Sequence, residues 1–366
     1  MSDMVMASAT NKCIDGPTIA PRASIIIVNY NGRTHLPRCL DSLLADNMAN
    51  VEIIVVDNAS TDGSADLVVH DYPQVRLIRS QENLGFGGAN NLAAAQSQGR
   101  YLAFLNPDTM VTVGWLDALF TALEEQPQAG LVTSQILLLD QPGHINAAGN
   151  EMHLTGLTLC RGLGEEVGRW QQGDRVTAVS GAAFVMRRSL FIELGGFDAD
   201  YFMYFEDTDL SLRARLLGYD CLYVPNSVVY HDYQLRFGPR KTFYEERNRY
   251  MTLLKALRWP TLLLLLPVWL LAEVVTWGFV LIRDRANWRN KVQAYETVWR
   301  ERSLLQQKRQ QVQASRKVSD RTLLQEMTYH LAFAQTGPGT APKLAHWLFN
   351  PMFWLQGRMS NLLVRW

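Results

Sequence analysis

The chain has 366 residues, enough to bury a large core and to add an appendage to one big domain. Its 35 Lys and Arg balance 35 Asp and Glu, so no global field points to a nucleic-acid partner. The four cysteines, Cys13, Cys39, Cys160 and Cys221, match no metal or disulfide spacing and suit a reducing, cytoplasmic setting.

Residues 1–21 lack an apolar run long enough for a signal peptide and read as a disordered lead-in. Ser24 to Asn29 is β-branched and predicts a buried strand that ends in a turn at Asn29-Tyr30-Asn31-Gly32. Leu36, Leu40, Leu43 and Leu44 then recur at helical spacing. Val51 to Val56 is a second strand, followed by the hydroxyl- and carboxylate-rich loop Asp57 to Ser64 and a helix from about Ala65, with Thr61 or Asp62 as cap. Val75 to Ile78 is a third strand, and Asn83 to Asn91 leads into an Ala-rich helix. Tyr101 to Leu105 is a fourth strand, apolar throughout, stopped by Asn106-Pro107-Asp108. Four alternations of strand and helix predict an α/β fold with a mostly parallel, doubly wound sheet and right-handed crossovers.

The middle is less regular. Gly114 to Leu123 reads as helix and Leu131 to Leu139 as strand, and the Gly-rich stretch His144 to Arg175 as a mobile or acceptor-facing loop. Val179 to Arg187 reads as a strand with a close-approach point at Gly181-Ala182-Ala183, and Phe191 to Phe197 as a short helix ended by Gly195-Gly196. Glu206-Asp207-Thr208-Asp209 opens the next helix. Asp220 to Val224 is a strand ending at Pro225, and His231 follows in a polar loop. A helix over Phe243 to Leu257 carries Arg247, Asn248 and Arg249, either as a phosphate or headgroup site or as a solvated face. Thr261 to Ile282 is apolar over about the length that crosses a bilayer, with Glu273 its one charge and Pro267 as a bend; a buried helix of a soluble protein is the other reading of the same run. A basic helical tail follows. Leu344 to Trp366 mixes Trp, Phe, Leu and Met with Arg358 and Arg365, a composition for a membrane interface.

Three polar clusters fall at strand ends that a parallel sheet places on one rim: Asn29-Tyr30-Asn31, Asp57 to Asp62, and Asn106 to Asp108. Each is also ordinary capping or turn chemistry. Tyr30 can stack on a base, Asp57 can accept from a pyrimidine N3–H, and Asp108 suits a hard divalent cation. Gly85-Phe-Gly-Gly-Ala lacks the dinucleotide spacing and reads as close approach of a helix N-terminus to a ligand. Glu206, Asp207 and Asp209 exceed what a helix cap requires; their repulsion demands an offset, and the helix dipole favours the ionised form of a base there.

Assembled in order, these pieces resemble the inverting glycosyltransferases of family 2, whose fold is called GT-A. The resemblance rests on Ser24-Ile-Ile-Ile-Val-Asn-Tyr-Asn31, Val55-Val-Asp-Asn-Ala-Ser-Thr-Asp-Gly-Ser64, Asn83-Leu-Gly-Phe-Gly-Gly-Ala-Asn-Asn91, Leu105-Asn-Pro-Asp-Thr109, Gly195-Gly-Phe-Asp198 and Phe205-Glu-Asp-Thr-Asp-Leu-Ser-Leu-Arg213. Asn-Pro-Asp in place of Asp-x-Asp is most similar to the rhamnosyltransferase-like branch. That branch implies a nucleotide-diphosphate sugar donor, best dTDP-rhamnose, and a lipid-linked or polysaccharide acceptor in cell-envelope glycan synthesis. UDP- or GDP-sugars, and a non-catalytic membrane scaffold, are the alternatives. An early Gly-rich basic loop, as a sugar nucleotidyltransferase needs, is poorly matched by Asn29 to Arg33.

The resemblance also implies roles. Asn29, Tyr30, Asn31, Asp57, Asn58, Asn83, Gly88 and Asn106 would line the nucleotide. Asp108, with the late His231, would hold Mg²⁺ or Mn²⁺, and Asp207 would be the general base beside Glu206. The expected organisation is a transferase domain over 22–258, a spanning or re-entrant membrane segment over 259–283, and a basic helical tail over 284–366. Basic residues flank the apolar segment on both sides and give no crossing direction. The catalytic domain is expected on the cytoplasmic face of the inner or plasma membrane, where nucleotide sugars are made.

Overall fold

The computed structural model describes residues 20–46, 48–234, 238–337 and 339–366, so the lead-in to residue 19, with Cys13, and Arg236 lie outside the described residues. The first half alternates as its apolar runs predict: β1 (Ala23–Asn29), α1 (Leu36–Ala45), β2 (Val51–Asp57), α2 (Ser64–Asp71), β3 (Arg76–Arg79), α3 (Gly85–Gln96) and β4 (Tyr101–Leu105). Then come β5 (Thr109–Val111), α4 (Trp115–Glu125), β6 (Ala129–Leu138), β7 (Ile145–Ala147), β8 (Asn150–Met152), β9 (Thr158–Cys160), β10 (Asp174–Val176), β11 (Ala183–Arg187) and α5 (Arg188–Glu193). Next are α6 (Glu206–Leu216) and β12 (Asp220–His231), and the rest is helical: α7 (Pro239–Ala256), α8 (Trp259–Leu264), α9 (Leu266–Arg283), α10 (Trp288–Arg300), α11 (Arg302–Ser315), α12 (Asp320–Glu326) and α13 (Thr340–Leu363).

The main sheet runs β10-β12-β6-β11-β4-β1-β2-β3, with β5 on β12 and β7 on β6. The β3-β2-β1-β4 half is parallel. β11 enters antiparallel between β4 and β6, which makes the whole sheet mixed. Side chains alternate across β1: Ile25 and Ile27 pack with α1, α2 and α4, and Ile26 packs with α3, α5 and α6. Both faces are therefore covered, as a fully apolar strand requires.

Two segments depart from expectation. The stretch from His144 to Arg175 is built, not mobile: it forms β7 to β10, with Ile145, Ala147, Ala148 and Leu154 fully buried. β12 does not stop at Pro225. Its register against β6 shifts between Val224 and Val228, so Pro225 sits in a bulge where no ladder donor is needed. The strand continues to His231, which is thereby a strand-end residue and not a loop residue.

The apolar segment is broken. α8 ends at Leu264, and Pro267 stands in the first turn of α9, where its missing N–H is harmless. Val268 and Trp269 of α9 pack into a helical core with α7, α12 and α13, and Ala272 and Val280 of the same helix are also buried. Glu273 also turns inward, to Arg249 and Lys291. α9 is the one described helix long and apolar enough to cross a membrane.

Candidate active site

The parallel register puts Asn29 opposite Asp57 and Asp57 opposite Arg79, so three strand ends share one rim. Beside them Asn106 follows β4, and its N–H donates to Ala182 O just before β11 (2.9 Å). The next residue back, Gly181, donates its N–H to Asp207 Oδ2 at 2.8 Å. The chain around Asp108 and the carboxylate of Asp207 are thus joined through two neighbouring residues of one strand entrance.

Asp108 Oδ1 is buried and lies 3.3 Å from His231 Nε2, with no hydrogen-bond partner. His231 arrives there because β12 pairs with β5, placing it opposite Thr109. Its Nδ1 is 2.8 Å from Asn146 Oδ1. With Nδ1 engaged by Asn146, Nε2 is the ring nitrogen turned toward the carboxylate. Burial raises the Asp108 carboxyl, but His231 more than offsets this and leaves it below its ordinary value. Among the described residues, no three His, Cys, Asp or Glu side chains converge as a metal cage.

Asp207 is held from several sides. Besides Gly181, Asn150 Nδ2 reaches Oδ2 at 3.5 Å, and the Thr208 N–H donates to Oδ1 at 2.6 Å. Burial raises the Asp207 carboxyl, and the N–H donors of Gly181 and Thr208 only partly offset it. The helix N-terminus therefore does not dominate, contrary to the expectation from the dipole. Glu206 is buried with Oε2 unpartnered; burial first, then the charge of Asp207, lifts it to about 8. Asp209 is paired with Lys255 (2.7 Å) and Arg213 (2.7 Å) and stays below its ordinary range. The repulsion among the three acids is thus relieved by cations at Asp209 and by a held proton at Glu206.

The loop that aims Glu206 and Asp207 is strained. Phe202, Tyr204 and Phe205 have φ of +62°, +66° and +71°. Asn248, fully buried, donates its amide to Tyr201 O (3.0 Å), Met203 O (2.9 Å) and Tyr204 O (2.8 Å). Arg247 donates to Asp200 O and Tyr201 O. Gly85 lies under the same loop: a Cβ there would stand 2.3 Å from Phe202 O.

The sequence model described as glycosyl transferase family 2 matches residues 24–195. An N-acetylglucosaminyl-diphospho-decaprenol L-rhamnosyltransferase of Mycobacterium tuberculosis is 33% identical over 235 residues, 57% of this chain and 75% of that protein. The chain belongs to glycosyltransferase family 2. Its sheet is the GT-A arrangement. TarS of S. aureus, solved with UDP-GlcNAc, superposes with a TM-score of 0.54 over 93% of this chain and 88% of that one, at 15% identity. GalNAc-T7, solved with UDP, GalNAc and Mn2+, gives 0.53 over 65% of this chain and 48% of its own, at 20% identity.

Within this family-2 chain the expected site residues separate into two sets. Tyr30 is half exposed at the rim, and Asp57, Asn83, Asn106, Asp108, His231 and Asp207 lie along it or beside it. Asn31 is there too, with Oδ1 accepting from Thr61 N (2.8 Å). Asn29 and Asn58 are buried and committed to the frame. Asn29 donates to Ser60 and Ser64, and Asn58 donates to Asn83 Oδ1 and Gly85 O. Gly88 packs on Leu84 and Ala199. At Gly85 the close approach seen is to the protein's own loop at Phe202. Arg247, Asn248 and Arg249 form neither a headgroup site nor a solvated face, because all three are buried. Asn146 and Asn150 were missed and Asn248 was read for a different role, since each acts through a contact at least 44 positions away; the approach point expected at Gly181 is met by the Asp207 carboxylate.

Proposed function

We propose that this protein is an inverting glycosyltransferase that moves a sugar, best rhamnose from dTDP-rhamnose, onto a hydroxyl of a lipid-linked acceptor in cell-envelope glycan synthesis. The observation that carries the reading is the Asp207 carboxylate, fixed by Gly181 and Thr208 N–H groups at the sheet rim that also bears Asp108 and His231. A raised carboxyl is a better proton acceptor for an alcohol than an ordinary one, provided it is ionised. Asp207 takes the hydroxyl proton as the acceptor oxygen bonds to the anomeric carbon. The nucleoside diphosphate leaves from the opposite face with the bonding pair, so the centre inverts. Tyr30, Asn31, Asp57, Asn83 and Asn106 position the nucleotide, with Asn29, Asn58 and Gly88 framing the loops that carry them. Fixing the donor in line removes much of the orientational cost.

Asp108 and His231 would hold Mg²⁺ or Mn²⁺. The unpartnered Asp108 Oδ1 and the oriented Nε2 fit a cation that draws its other ligands from diphosphate and water. When bound, such an ion neutralises charge developing on the leaving diphosphate. The M. tuberculosis relative, named for a rhamnosyl transfer to a diphospho-lipid, supports the choice of donor and acceptor. The UDP-GlcNAc of the TarS structure supports a UDP-sugar as the second reading.

Membrane association belongs to the same reading, with the transferase domain on the cytoplasmic face and α9 lying in the plane of the membrane. The outer side of α9 exposes Leu266, Leu270, Val274, Leu281 and Ile282. α13 exposes Trp347, Leu348, Trp354, Leu355 and Leu362 and contains no acidic residue. A crossing would tear Glu273 from Arg249 and Lys291. The test is transfer from a panel of radiolabelled nucleotide sugars to a lipid-linked saccharide. Asp207→Asn folds and binds donor but loses about 10²–10⁴ in kcat. Near-normal turnover in that variant removes Asp207 from the base role.

A further inference from the structure

None of the rim residues lies on α11, yet the polar side chains of this helix reach the loop that carries Asp207. The carbonyls that close α7 are capped by it. Arg309 donates to Leu254 O and Leu257 O, and Gln313 Nε2 donates to Lys255 O and Ala256 O, each at 2.8 Å. A helix end leaves such acceptors without donors of its own, so α11 fixes the place at which α7 ends. Lys255 stands in that last turn, 2% exposed. Its Nζ is 2.6 Å from Asp198 Oδ2 and 2.7 Å from Asp209 Oδ1. Asp198 precedes the left-handed residues of the loop, and Asp209 follows Asp207 by two positions. One ammonium group therefore ties together the two ends of the segment that aims the base.

Lys308 of α11 adds the outer link, pairing with both Asp198 and Asp200. On the inner side Arg213 Nε reaches Asp209 at 2.7 Å, and the same guanidinium donates to Leu194 O (2.7 Å) and Gly196 O (2.8 Å). Acids and cations thus alternate along one line: Asp200, Lys308, Asp198, Lys255, Asp209 and Arg213. Burial would raise the Asp198 carboxyl, but Lys255 and Lys308 hold it well below its ordinary range. With either lysine gone, a buried carboxylate loses a partner.

We propose that Lys255 and Lys308 are positioning residues for the transfer: α11 and the end of α7 form a brace that holds the Asp207 carboxylate at the angle the acceptor hydroxyl requires. The inference rests on the glycosyl-transfer reading above and gives the C-terminal helices a part in the reaction itself. The lysines act through Asp198 and Asp209, on a loop whose strained residues relax once its start is let go. A shift of about 1 Å in a reacting group costs about 10²-fold in rate, so loosening is read first in kcat.

Lys308 is the residue to change, because its side chain is 22% exposed and its loss leaves Asp198 with Lys255. In full-length Lys308→Met, kcat is expected to fall about tenfold and donor KM to stay within about twofold, measured with whichever nucleotide sugar the wild type turns over. Lys308→Arg, which keeps the charge, recovers most of the rate. Hydrogen exchange read by mass spectrometry speeds up about tenfold or more for amides of 198–209 in Lys308→Met and stays as in the wild type across β1 to β4. Lys255→Met loses more; if it does not fold, Lys308→Met decides alone. Wild-type kcat in Lys308→Met, a loss that Lys308→Arg shares in full, or unchanged exchange in 198–209 overturns the brace. A lower melting temperature with kcat intact overturns it too, since α11 would then serve stability only. The two readings fail differently: a wild type that transfers no sugar from any donor defeats the transferase reading, whereas an active wild type matched by Lys308→Met defeats the brace alone.

Discussion

Asn248→Ala is expected to damage catalysis and stability together, although Asn248 sits in α7 and contributes nothing to the rim. Left-handed backbone costs a non-glycine residue about 1 kcal/mol or more, so Phe202, Tyr204 and Phe205 store about 3 kcal/mol in the loop before Asp207. One buried amide answers it by donating to three carbonyls between 2.8 and 3.0 Å. An amide has two protons, so removal leaves two buried acceptors unmet at about 1–3 kcal/mol each. The expected loss is about 2–6 kcal/mol, a large part of a typical stability of about 5–15 kcal/mol. Whatever the loop recovers by relaxing, it recovers by turning Glu206 and Asp207 away. The assay is thermal melting beside steady-state kinetics: a melting temperature lower by several degrees, kcat down about tenfold or more, and donor KM nearly unchanged. Asn248→Asp should be worse than Ala, because it sets a carboxyl oxygen against three carbonyl oxygens. A variant that melts and turns over like the wild type refutes the strain argument.

Three further expectations follow from the same geometry. Glu206 has its carboxyl raised by burial to about 8 against an ordinary 4.5, so the folded state holds the extra proton and stability falls as pH rises between those values. Glu206→Gln should remove that slope, melting above wild type at pH 9 and about level with it at pH 4; parallel melting curves across the range would count against it. Asp108→Asn should weaken Mn²⁺ binding about tenfold or more, read by calorimetry in the presence of nucleoside diphosphate, while leaving the melting temperature of the metal-free protein within a degree or two; unchanged Mn²⁺ affinity would remove Asp108 as ligand. Gly85→Ala combines a positive φ of +70° with a Cβ 2.3 Å from Phe202 O, so it should cost about 2 kcal/mol or more and displace the catalytic loop. A neutral Gly85→Ala would mean that the helix and the loop are not in fixed contact.

The rim could be read from the chain because its grammar is local. β-branched runs broken at Asn31-Gly32, at Asp57 and at Pro107 name strands and their ends, and parallel crossovers send those ends to one edge. The antiparallel entry of β11 carries no such mark, since Ala183 to Arg187 reads the same in either direction. Pro225 looks like a terminator, and it is one only where a ladder N–H is required; inside a bulge it is not, and the strand goes on to deliver His231. Arg247, Asn248 and Arg249 mislead for a related reason. A run of polar residues on a helix reports charge but not its partners, and the partners of these three lie at Thr155, at Glu273 and in the loop from Asp200 to Tyr204. Lys255 and Lys291 are the same case, being 2% and 1% exposed and paired with acids. Part of the basic composition of the C-terminal third is therefore internal: Arg247, Arg249, Lys255, Lys291 and Arg309 are buried and tie the helices to the transferase core, while Arg285, Arg289, Arg300, Arg302 and Arg321 are exposed. The buried groups are not available to a headgroup surface, and the proposed membrane association rests on the exposed apolar side chains of α9 and α13. If so, raising ionic strength to 1 M, where charge is screened within about 3 Å, should leave vesicle binding nearly intact, and release of the protein by salt alone would show that exposed cations, not apolar contact, hold it there.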